Sequence, residues 1–393
     1  MNTTHEGARA LWIGTYRADD PAEHAAPEPP REGVWRVDLL DDGTLVDRGR
    51  AAAATQPSFV AVHPSGAALY ATDESADGAV TVFRVVPVAG GQAELHEVTT
   101  LPVAGDDPCH LEIRTSGGEG ELLVSCYSSG TLAAVPLDAA GMPTGGPRVT
   151  RSSGSGPVLD RQEGPHVHSA TLLPGDDVAW VVDLGSDRVL RYRVGADGAL
   201  APDGVAVTFP AGAGPRHVAL HPSGAAFVAC ELDSTVAVVD VHPDGTGVVR
   251  QVLPACATPA DGPSQPAHLA LGAGGTRLYV GVRGQDVLST FAVEPRDGAV
   301  VLEHLADTPT GGAWPRHHAV VPARARQGGV DDRDESPGSG PGGTRSGDDV
   351  VVVANQGSGN LVALAFGPDG RGRVLSALDL LGAGARPACV VPV

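Results

Sequence analysis

Short apolar runs alternate with polar turns along the chain, and residues 216–253 show the pattern most clearly. Apolar runs at 216–220, 225–230, 235–240 and 248–253 are separated by segments that contain Gly, Pro, Asp and Ser. Runs of this length between turn residues are typical of β-strands, and four in succession predict an antiparallel meander. No stretch shows the 3.6-residue periodicity of a long amphipathic helix, so we predict an all-β protein.

A repeated phrase precedes the first apolar run of each unit. It consists of a proline, one variable residue and usually a histidine. The proline recurs at seven positions, Pro57, Pro108, Pro165, Pro215, Pro266, Pro315 and Pro387. The intervals are 51, 57, 50, 51, 49 and 72 residues. A period near 50 with strand-like contents predicts stacked supersecondary units.

The two ends of the chain together supply one complete unit. One apolar run follows the last repeated proline and three precede the first, at residues 388–392, 10–14, 33–38 and 45–48. We therefore predict a single domain over residues 1–393, a seven-bladed β-propeller with four antiparallel strands per blade, closed by the C-terminal strand and three N-terminal strands. Closure of the ring removes open sheet edges. An open β-solenoid is the alternative, but it would not need complementary partial units.

Two segments interrupt the strand pattern. Residues 18–31 are rich in Pro, Ala and Glu and are predicted to form a loop. Residues 324–349 are polar, Gly-rich and charged, and they cannot bury enough apolar surface to order themselves. We expect a disordered insertion there, between the first and second strands of the sixth unit, which accounts for the 72-residue interval.

The formal net charge of −20 bears on which macromolecules the protein can bind. An acidic chain argues against nucleic acid, which requires a basic face. The N-terminus has no apolar signal region and no run of 18 apolar residues occurs, so we expect a soluble, cytoplasmic protein with no membrane partner.

The five cysteines are scattered and are expected to be reduced and structural. We expect a monomer or a weak homo-oligomer.

The propeller geometry brings two columns of residues to one mouth of the central channel, because the first strand begins where the second strand ends. The residues after the repeated prolines are Ser58, Cys109, His166, Arg216, Ala267, Arg316 and Ala388. The residues at the ends of the second strands are Glu74, Tyr127, Asp183, Glu231, Arg283 and Asn355. Such a concentration of ionisable groups in a cleft predicts a functional site.

The histidines in the repeated phrase recur too often for each to be catalytic. We interpret them as structural groups that hydrogen-bond neighbouring turns; they are His110, His217, His268 and His317. His166 and His168 form a unique pair and are the candidate catalytic histidines. Motifs for metal, phosphate-loop, dinucleotide or serine-hydrolase chemistry are absent from the sequence, so we predict no metal and no cofactor.

Arg216 and Arg283 bring two positive charges to an enclosed channel and are candidate functional residues. A purely structural ion pair of either arginine with Glu231 or Asp183 is the alternative interpretation. We expect the remaining polar residues at the mouth to contact substrate; they are Glu74, Tyr127, Asp183, Arg316 and Asn355.

Several phrases carry a family resemblance. They include LWIGTY at 11–16, GPHVHS at 164–169, GPRHVALHPSG at 214–224 and PRHHAVV at 315–321. On these residues the chain resembles the seven-bladed propeller lactonases, which include the cycloisomerase-type 6-phosphogluconolactonases and a fungal carboxy-muconate lactonising enzyme.

The resemblance implies an active site of one histidine, two arginines and one glutamate at the channel mouth. By motif these positions are His166 or His168, Arg216, Glu231 and Arg283. The family usually has asparagine where Val282 and Cys230 stand in this chain.

The resemblance implies a function hypothesis, the hydrolysis of an anionic sugar-acid lactone, most directly 6-phosphogluconolactone, with which these residues are consistent. A neutral histidine can take a proton from the attacking water, and arginines can hold the anion that develops. Two alternatives stay open. One is a muconate-type lactonising cycloisomerase, and the other is a non-catalytic propeller that binds a ligand or a protein.

Overall fold

Seven antiparallel sheets of four strands form a closed ring in the computed structural model. The first strand of each sheet contacts the first strands of the two neighbouring sheets, so the seven first strands line a central channel. The predicted seven-bladed propeller is confirmed. The structure describes residues 8–17, 32–88, 92–116, 119–257, 261–272, 274–321, 348–380, 382 and 384–393.

Six blades follow one another along the chain, each with its strands in sequence order from the channel outwards. Blade 1 comprises β4 (Val60–Val62), β5 (Ala68–Asp73), β6 (Ala79–Val88) and β7 (Gln92–Pro102). Blade 2 comprises β8 (Pro108–Ser116), β9 (Glu119–Cys126), β10 (Thr131–Leu137) and β11 (Arg148–Arg151). Blade 3 comprises β12 (Val167–Leu172), β13 (Val178–Asp183), β14 (Arg188–Val194) and β15 (Leu200–Thr208), with a 3₁₀ turn at Leu184–Ser186.

The second half of the ring repeats this arrangement. Blade 4 comprises β16 (Pro215–Leu220), β17 (Ala225–Cys230), β18 (Thr235–Val241) and β19 (Gly247–Pro254). Blade 5 comprises β20 (Gln265–Leu271), β21 (Arg277–Arg283), β22 (Val287–Arg296) and β23 (Ala299–Pro309). Blade 6 comprises β24 (Pro315–Val321), β25 (Asp349–Asn355), β26 (Asn360–Phe366) and β27 (Gly372–Asp379).

The seventh blade joins the two ends of the chain. It comprises β28 (Ala385–Pro392), β1 (Arg9–Arg17), β2 (Gly33–Leu39) and β3 (Leu45–Ala53). The C-terminal strand β28 pairs antiparallel with β1, from Leu11 opposite Pro392 to Arg17 opposite Ala385. The predicted closure by one C-terminal and three N-terminal strands is therefore confirmed, and it removes an open edge on the channel side.

The apolar core is divided among the interfaces between blades. Seven buried clusters occur, and each one joins side chains of two neighbouring blades. Buried aromatic side chains also hydrogen-bond across these interfaces, as when Trp180 Nε1 of blade 3 donates to the Gly245 carbonyl of blade 4 at 2.8 Å. The even spread of this packing around the ring makes the blades a rigid frame for the residues at the channel mouth.

The segments predicted as loop and insertion fall mainly outside the described residues, namely residues 18–31 and 324–347. Asp349, at the end of the predicted insertion, is the first residue of β25. All five cysteines are buried and unbridged, as predicted. A search of the described residues finds no helix with the length and hydrophobicity to cross a membrane.

Candidate active site

β-Bulges lie at four residues of the first column at the channel mouth. In blade 4, Pro215 pairs with Cys230 and His217 pairs with Ala229, which leaves Arg216 as an extra residue in β16. The same irregularity leaves an extra residue at Cys109, Arg316 and Ala388. A bulge turns its extra side chain away from the regular alternation of the strand. The repeated proline therefore marks a position where a side chain is redirected.

Arg216, Glu231 and Arg283 converge at this mouth. Glu231, which follows the last residue of β17, is only 2% exposed. Its Oε2 lies 2.9 Å from Nε of Arg216 and 2.7 Å from Nη2 of Arg283. Burial alone would raise the pKa of Glu231, but the guanidinium groups, Arg283 first, favour the carboxylate and hold the pKa well below its ordinary value. The site thus contains a permanent negative charge that holds two buried cations.

A third arginine, Arg161, completes this cluster and was missed by the sequence analysis. Its Nη2 lies 2.7 Å from Glu231 Oε1 and 3.2 Å from the hydroxyl oxygen of Tyr127. Arg161 lies on the loop between β11 and β12, and about a third of its side chain is exposed. The long 57-residue interval before Pro165 was the available signal, because it lengthens this loop.

His166 stands at the edge of the cluster in a defined tautomer. Its Nδ1 lies 3.0 Å from the carbonyl oxygen of Tyr127, which can only accept a hydrogen bond, so Nδ1 carries the proton. Its Nε2 lies 3.2 Å from the carboxylate of Glu163, which is largely exposed. The Tyr127 ring stacks on the imidazole with centroids 4.4 Å apart. This histidine is therefore held in position by the Tyr127 carbonyl and ring, and its Nε2 faces the Glu163 carboxylate.

His168 lies deeper and in a different environment. Its Nδ1 is 3.8 Å from Sγ of Cys109, and its ring contacts the rings of Tyr127 and His217. Burial, and after it the charge of Arg216, lowers the pKa of His168 well below its ordinary value. The two candidate histidines are thus both at the mouth, and burial makes His168 a weak base.

A second ion pair stands across the mouth from the Glu231 cluster. Arg316 Nη2 lies 3.2 Å from the carboxylate of Glu74, and the guanidinium group sits 5.2 Å from the ring centroid of Tyr16. Burial alone would lower the pKa of Arg316, but electrostatic interactions with Tyr16 and Glu74 raise it. Together with Arg161, Arg216 and Arg283 it makes four guanidinium groups at the mouth, against two carboxylates that pair with them.

Asp183 and Asn355 are buried residues with different surroundings. Asp183 Oδ1 accepts from the backbone N–H of His166 at 2.8 Å, and Oδ2 accepts from the Ser186 hydroxyl at 2.7 Å. It caps the 3₁₀ turn and fixes His166, and it makes no ion pair with the arginines. Asn355 donates from Nδ2 to the Thr310 carbonyl at 3.3 Å, and its Oδ1 is without a hydrogen-bond partner among the described residues.

A belt of aromatic rings closes the channel behind the arginines. The rings contact one another in a cycle with centroid distances from 3.8 to 5.6 Å; its members are Phe59, His110, His217, His268 and His317. His317 Nδ1 accepts from the backbone N–H of Val390 in the neighbouring first strand at 3.4 Å. The repeated histidines therefore pack on each other and on neighbouring first strands, and not on turns as the sequence analysis expected.

Burial sets the protonation of this belt. It lowers the pKa of His110 to about 3, with the charge of Arg216 adding to the effect. The pKa values of His217, His268 and His317 are lowered well below the ordinary value for the same leading reason. The imidazoles are neutral, so they act as polar packing and not as charges. In the described part of the chain, no group of three or more His, Cys, Asp or Glu side chains is arranged to hold a metal ion.

Comparison with known proteins agrees with this architecture. Residues 10–325 match the family model of the seven-bladed β-propeller lactonases. The 6-phosphogluconolactonase of Bacillus subtilis is 29% identical over 296 residues, which are 74% of this chain and 82% of that protein. The 6-phosphogluconolactonase of Cronobacter sakazakii is 31% identical over 283 residues, which are 70% of this chain and 78% of that protein.

A solved structure extends the comparison over almost the whole chain. The periplasmic gluconolactonase of Pseudomonas aeruginosa is 26% identical, with a TM-score of 0.77 over 98% of this chain and 99% of that one. The fold, the family model and the relatives agree. The chain belongs to the seven-bladed β-propeller lactonase family, which places it among the carboxylic ester hydrolases.

Proposed function

We propose that the protein hydrolyses a sugar-acid lactone at the channel mouth, with 6-phosphogluconolactone as substrate and 6-phosphogluconate as product. The relatives named above are 6-phosphogluconolactonases, and the periplasmic structural relative is a gluconolactonase. The observation that carries the proposal is the Glu231 cluster, where three guanidinium groups gather beside His166, a histidine oriented by the Tyr127 carbonyl. An anionic lactone fits this concentration of positive charge in a protein of net charge −20.

The proposed base is His166. Its Nε2 takes a proton from a water molecule while the water oxygen forms a bond to the lactone carbonyl carbon. When the tetrahedral intermediate collapses, the bond from that carbon to the ring oxygen breaks, and the same proton passes to the ring oxygen. The products are a carboxylic acid, which ionises, and a hydroxyl group. Asp183 acts by holding the backbone of His166, and the Tyr127 carbonyl fixes the tautomer.

The alternative base is His168, which the sequence analysis also named. Its lowered pKa keeps it neutral, but a base with a strongly lowered pKa takes a proton less readily. Separate variants distinguish the two. His166→Gln should abolish most of the acceleration, and His168→Gln should retain more of it; the opposite order would move the role to His168.

The arginines are assigned to the substrate's negative charges. Glu231 holds Arg216 and Arg283 in place, and their positive charge faces the position where an oxyanion would develop. Arg161 and Arg316 are the more accessible cations and are assigned to the phosphate, with Glu74 and Asn355 as polar neighbours. Tyr127 carries the hydrogen bond from Arg161 and so couples the phosphate site to His166.

The test is the rate of 6-phosphoglucono-δ-lactone disappearance over the spontaneous background, measured beside the unphosphorylated lactone. Acceleration that prefers the phosphorylated substrate and is lost in Arg216→Gln supports the proposal. Arg250→Gln is the matched control, because Arg250 pairs with Asp240 on the outer part of blade 4 and is half-exposed. No acceleration of either lactone would reject it. Turnover of an unsaturated dicarboxylate would then indicate the cycloisomerase, and ligand binding without turnover would indicate a binding propeller.

We also propose that the enzyme works in the cytoplasm as a monomer or a weak homo-oligomer, without a nucleic-acid or membrane partner. The net charge of −20 supports the part of this proposal that excludes nucleic acid, which requires a basic face. Light scattering after size-exclusion chromatography tests the assembly state. Fractionation of the native cells tests the location, and recovery from a periplasmic or secreted fraction would contradict the proposal.

A further inference from the structure

One aromatic residue at the channel mouth holds an unfavourable backbone conformation. Trp314, in the loop between β23 and β24, has a φ of +60°. Nine non-glycine residues in the described part of the chain have positive φ, and Trp314 is the only aromatic one among them. This left-handed region is costly for bulky side chains, and such outliers cluster at functional sites.

The fold requires this backbone conformation but does not require tryptophan. The residue before the repeated proline also has positive φ at Gln56, Asp107 and Gly214 in other blades. At Trp314, the backbone N–H donates to Asp286 Oδ1 at 2.7 Å, and the carbonyl accepts from the Gln356 N–H at 3.0 Å. Glycine would satisfy the same backbone bonds without strain. The indole side chain is therefore the feature that needs an explanation.

The indole ring stands against a candidate catalytic group. The Arg283 guanidinium carbon lies 5.6 Å from the centroid of the Trp314 ring, within the range of a cation–π contact. Arg283 in turn contacts Glu231 at 2.7 Å. Trp314 is half-buried, so part of its surface remains open beside the charged groups. The ring is thus a flat apolar wall at the edge of the site.

We propose that Trp314 is the surface on which the closed sugar ring of the lactone stacks. One face of a pyranose lactone presents polarised C–H groups, and the negative face of an aromatic ring attracts them and excludes water. The arginines recognise charge, whereas Trp314 recognises the shape of the ring. A cyclic ligand gains this contact, and the open-chain product of hydrolysis cannot lie flat on the indole. The inference rests on the proposed function, whose substrate is a carbohydrate lactone.

The test uses two unreactive probes of equal charge. 1,5-Anhydroglucitol 6-phosphate is cyclic and glucitol 6-phosphate is open-chain, and calorimetry measures the affinity of each. In Trp314→Gly the affinity for the cyclic probe should fall about tenfold, which corresponds to the loss of one aromatic contact, with little change for the open-chain probe. The affinity of Trp314→Phe for the cyclic probe should lie between the affinities of Trp314→Gly and the wild type. For lactone hydrolysis, KM should rise while kcat stays close to the wild-type value.

A stability measurement separates this role from a structural one. Trp314→Gly removes the strained φ, so its melting temperature should equal or exceed that of the wild type, even as the cyclic probe binds more weakly. Asp297→Gly is the matched control, because Asp297 has a φ of +53° in the hairpin between β22 and β23, at the opposite end of the strands from the mouth. It should relieve strain and leave both affinities unchanged.

The outcomes distinguish this inference from the proposed function. Unchanged affinity of Trp314→Gly for the cyclic probe, or a fall in kcat at constant KM, would overturn the stacking role, while lactone hydrolysis by the wild type would still stand. A wild type that binds the cyclic probe through Trp314 but hydrolyses no lactone would overturn the proposed function and support the stacking role. A wild type that binds neither probe and hydrolyses no lactone would overturn both.

Discussion

Two groups of buried ionisable residues lie next to each other in this propeller, and they use burial in opposite ways. In the Glu231 cluster, opposite charges stay ionised because each has a partner within 3 Å. In the aromatic belt, the histidines face one another and Arg216, and burial without a carboxylate leaves them neutral. The same channel thus holds a charged layer at its mouth and a neutral polar layer behind it.

The difference indicates where chemistry can occur. A neutral imidazole belt packs the channel and lowers the local dielectric, which strengthens the charges in front of it. The charged layer contains more guanidinium than carboxylate groups and can therefore accept an anion. The first strands supply both layers through adjacent residues of the repeated phrase, as with Arg216 in the charged layer and His217 in the belt.

Removal of the central carboxylate should have the largest effect. Glu231→Gln leaves Arg216 and Arg283 close together without the charge that holds them, and removal of one partner from a buried ion pair costs about 3–5 kcal/mol. We expect a loss of that size in the free energy of unfolding, measured by guanidinium denaturation, together with near-complete loss of kcat/KM. Asp240→Asn, on the exposed pair with Arg250, should change neither quantity. A stable and active Glu231→Gln enzyme would contradict the charged-layer interpretation.

Removal of one cation should affect catalysis more than stability. Arg216→Gln keeps a polar side chain in the bulge and relieves the repulsion from Arg283. Because the proposed role is stabilisation of a developing oxyanion, kcat should fall by about 10²–10³. Steady-state kinetics with the phosphorylated lactone measures this effect, beside the Arg250→Gln control. A rise in KM at constant kcat would mean that Arg216 binds the substrate but does not stabilise the transition state.

Acid should destabilise the neutral belt. The pKa of His110 is lowered to about 3, so below the unfolded-state value of about 6.5 the unfolded chain takes up a proton that the folded chain does not. The stabilisation is therefore complete above pH 6.5 and is lost as the pH falls towards 3. Each such histidine should contribute about 1.4 kcal/mol per pH unit to the loss.

One substitution sharpens this pH test. Phe59 occupies the same position of the belt in blade 1, so His110→Phe replaces one imidazole with the ring that the fold already uses there. The slope of unfolding free energy between pH 6 and pH 5 should decrease by about 1.4 kcal/mol per pH unit relative to the wild type. An unchanged slope would show that His110 is protonated in the folded state.

The sequence predicted most of the fold because each strand is marked by its own apolar run and turn residues. It also predicted the two columns, because strand register determines which residues reach the mouth. It missed Arg161, which lies on a loop between blades where no periodicity determines the path of the chain. It also missed Trp314, because its place before a repeated proline gave no sign that its ring lies beside Arg283. Asp183 was expected to contact substrate, but the structure shows its side chain capping its own turn, through bonds to Gly185 and Ser186.

Substitution of Arg161, on the loop between β11 and β12, should give the smallest effect. It tests whether this partly exposed arginine acts as part of the charged layer. Arg161→Ala removes one of three cations from Glu231, but Arg161 is partly exposed and the other two remain, so the melting temperature should change little. Because we assign Arg161 to the phosphate, KM for the phosphorylated lactone should rise about tenfold and KM for the unphosphorylated lactone should not change. Arg151→Ala is a control in the same region, since Arg151 donates to the Ser129 carbonyl and makes no contact with Glu231. Equal effects on both lactones would assign Arg161 to the positioning of Glu231 and Tyr127 and leave Arg316 as the phosphate ligand.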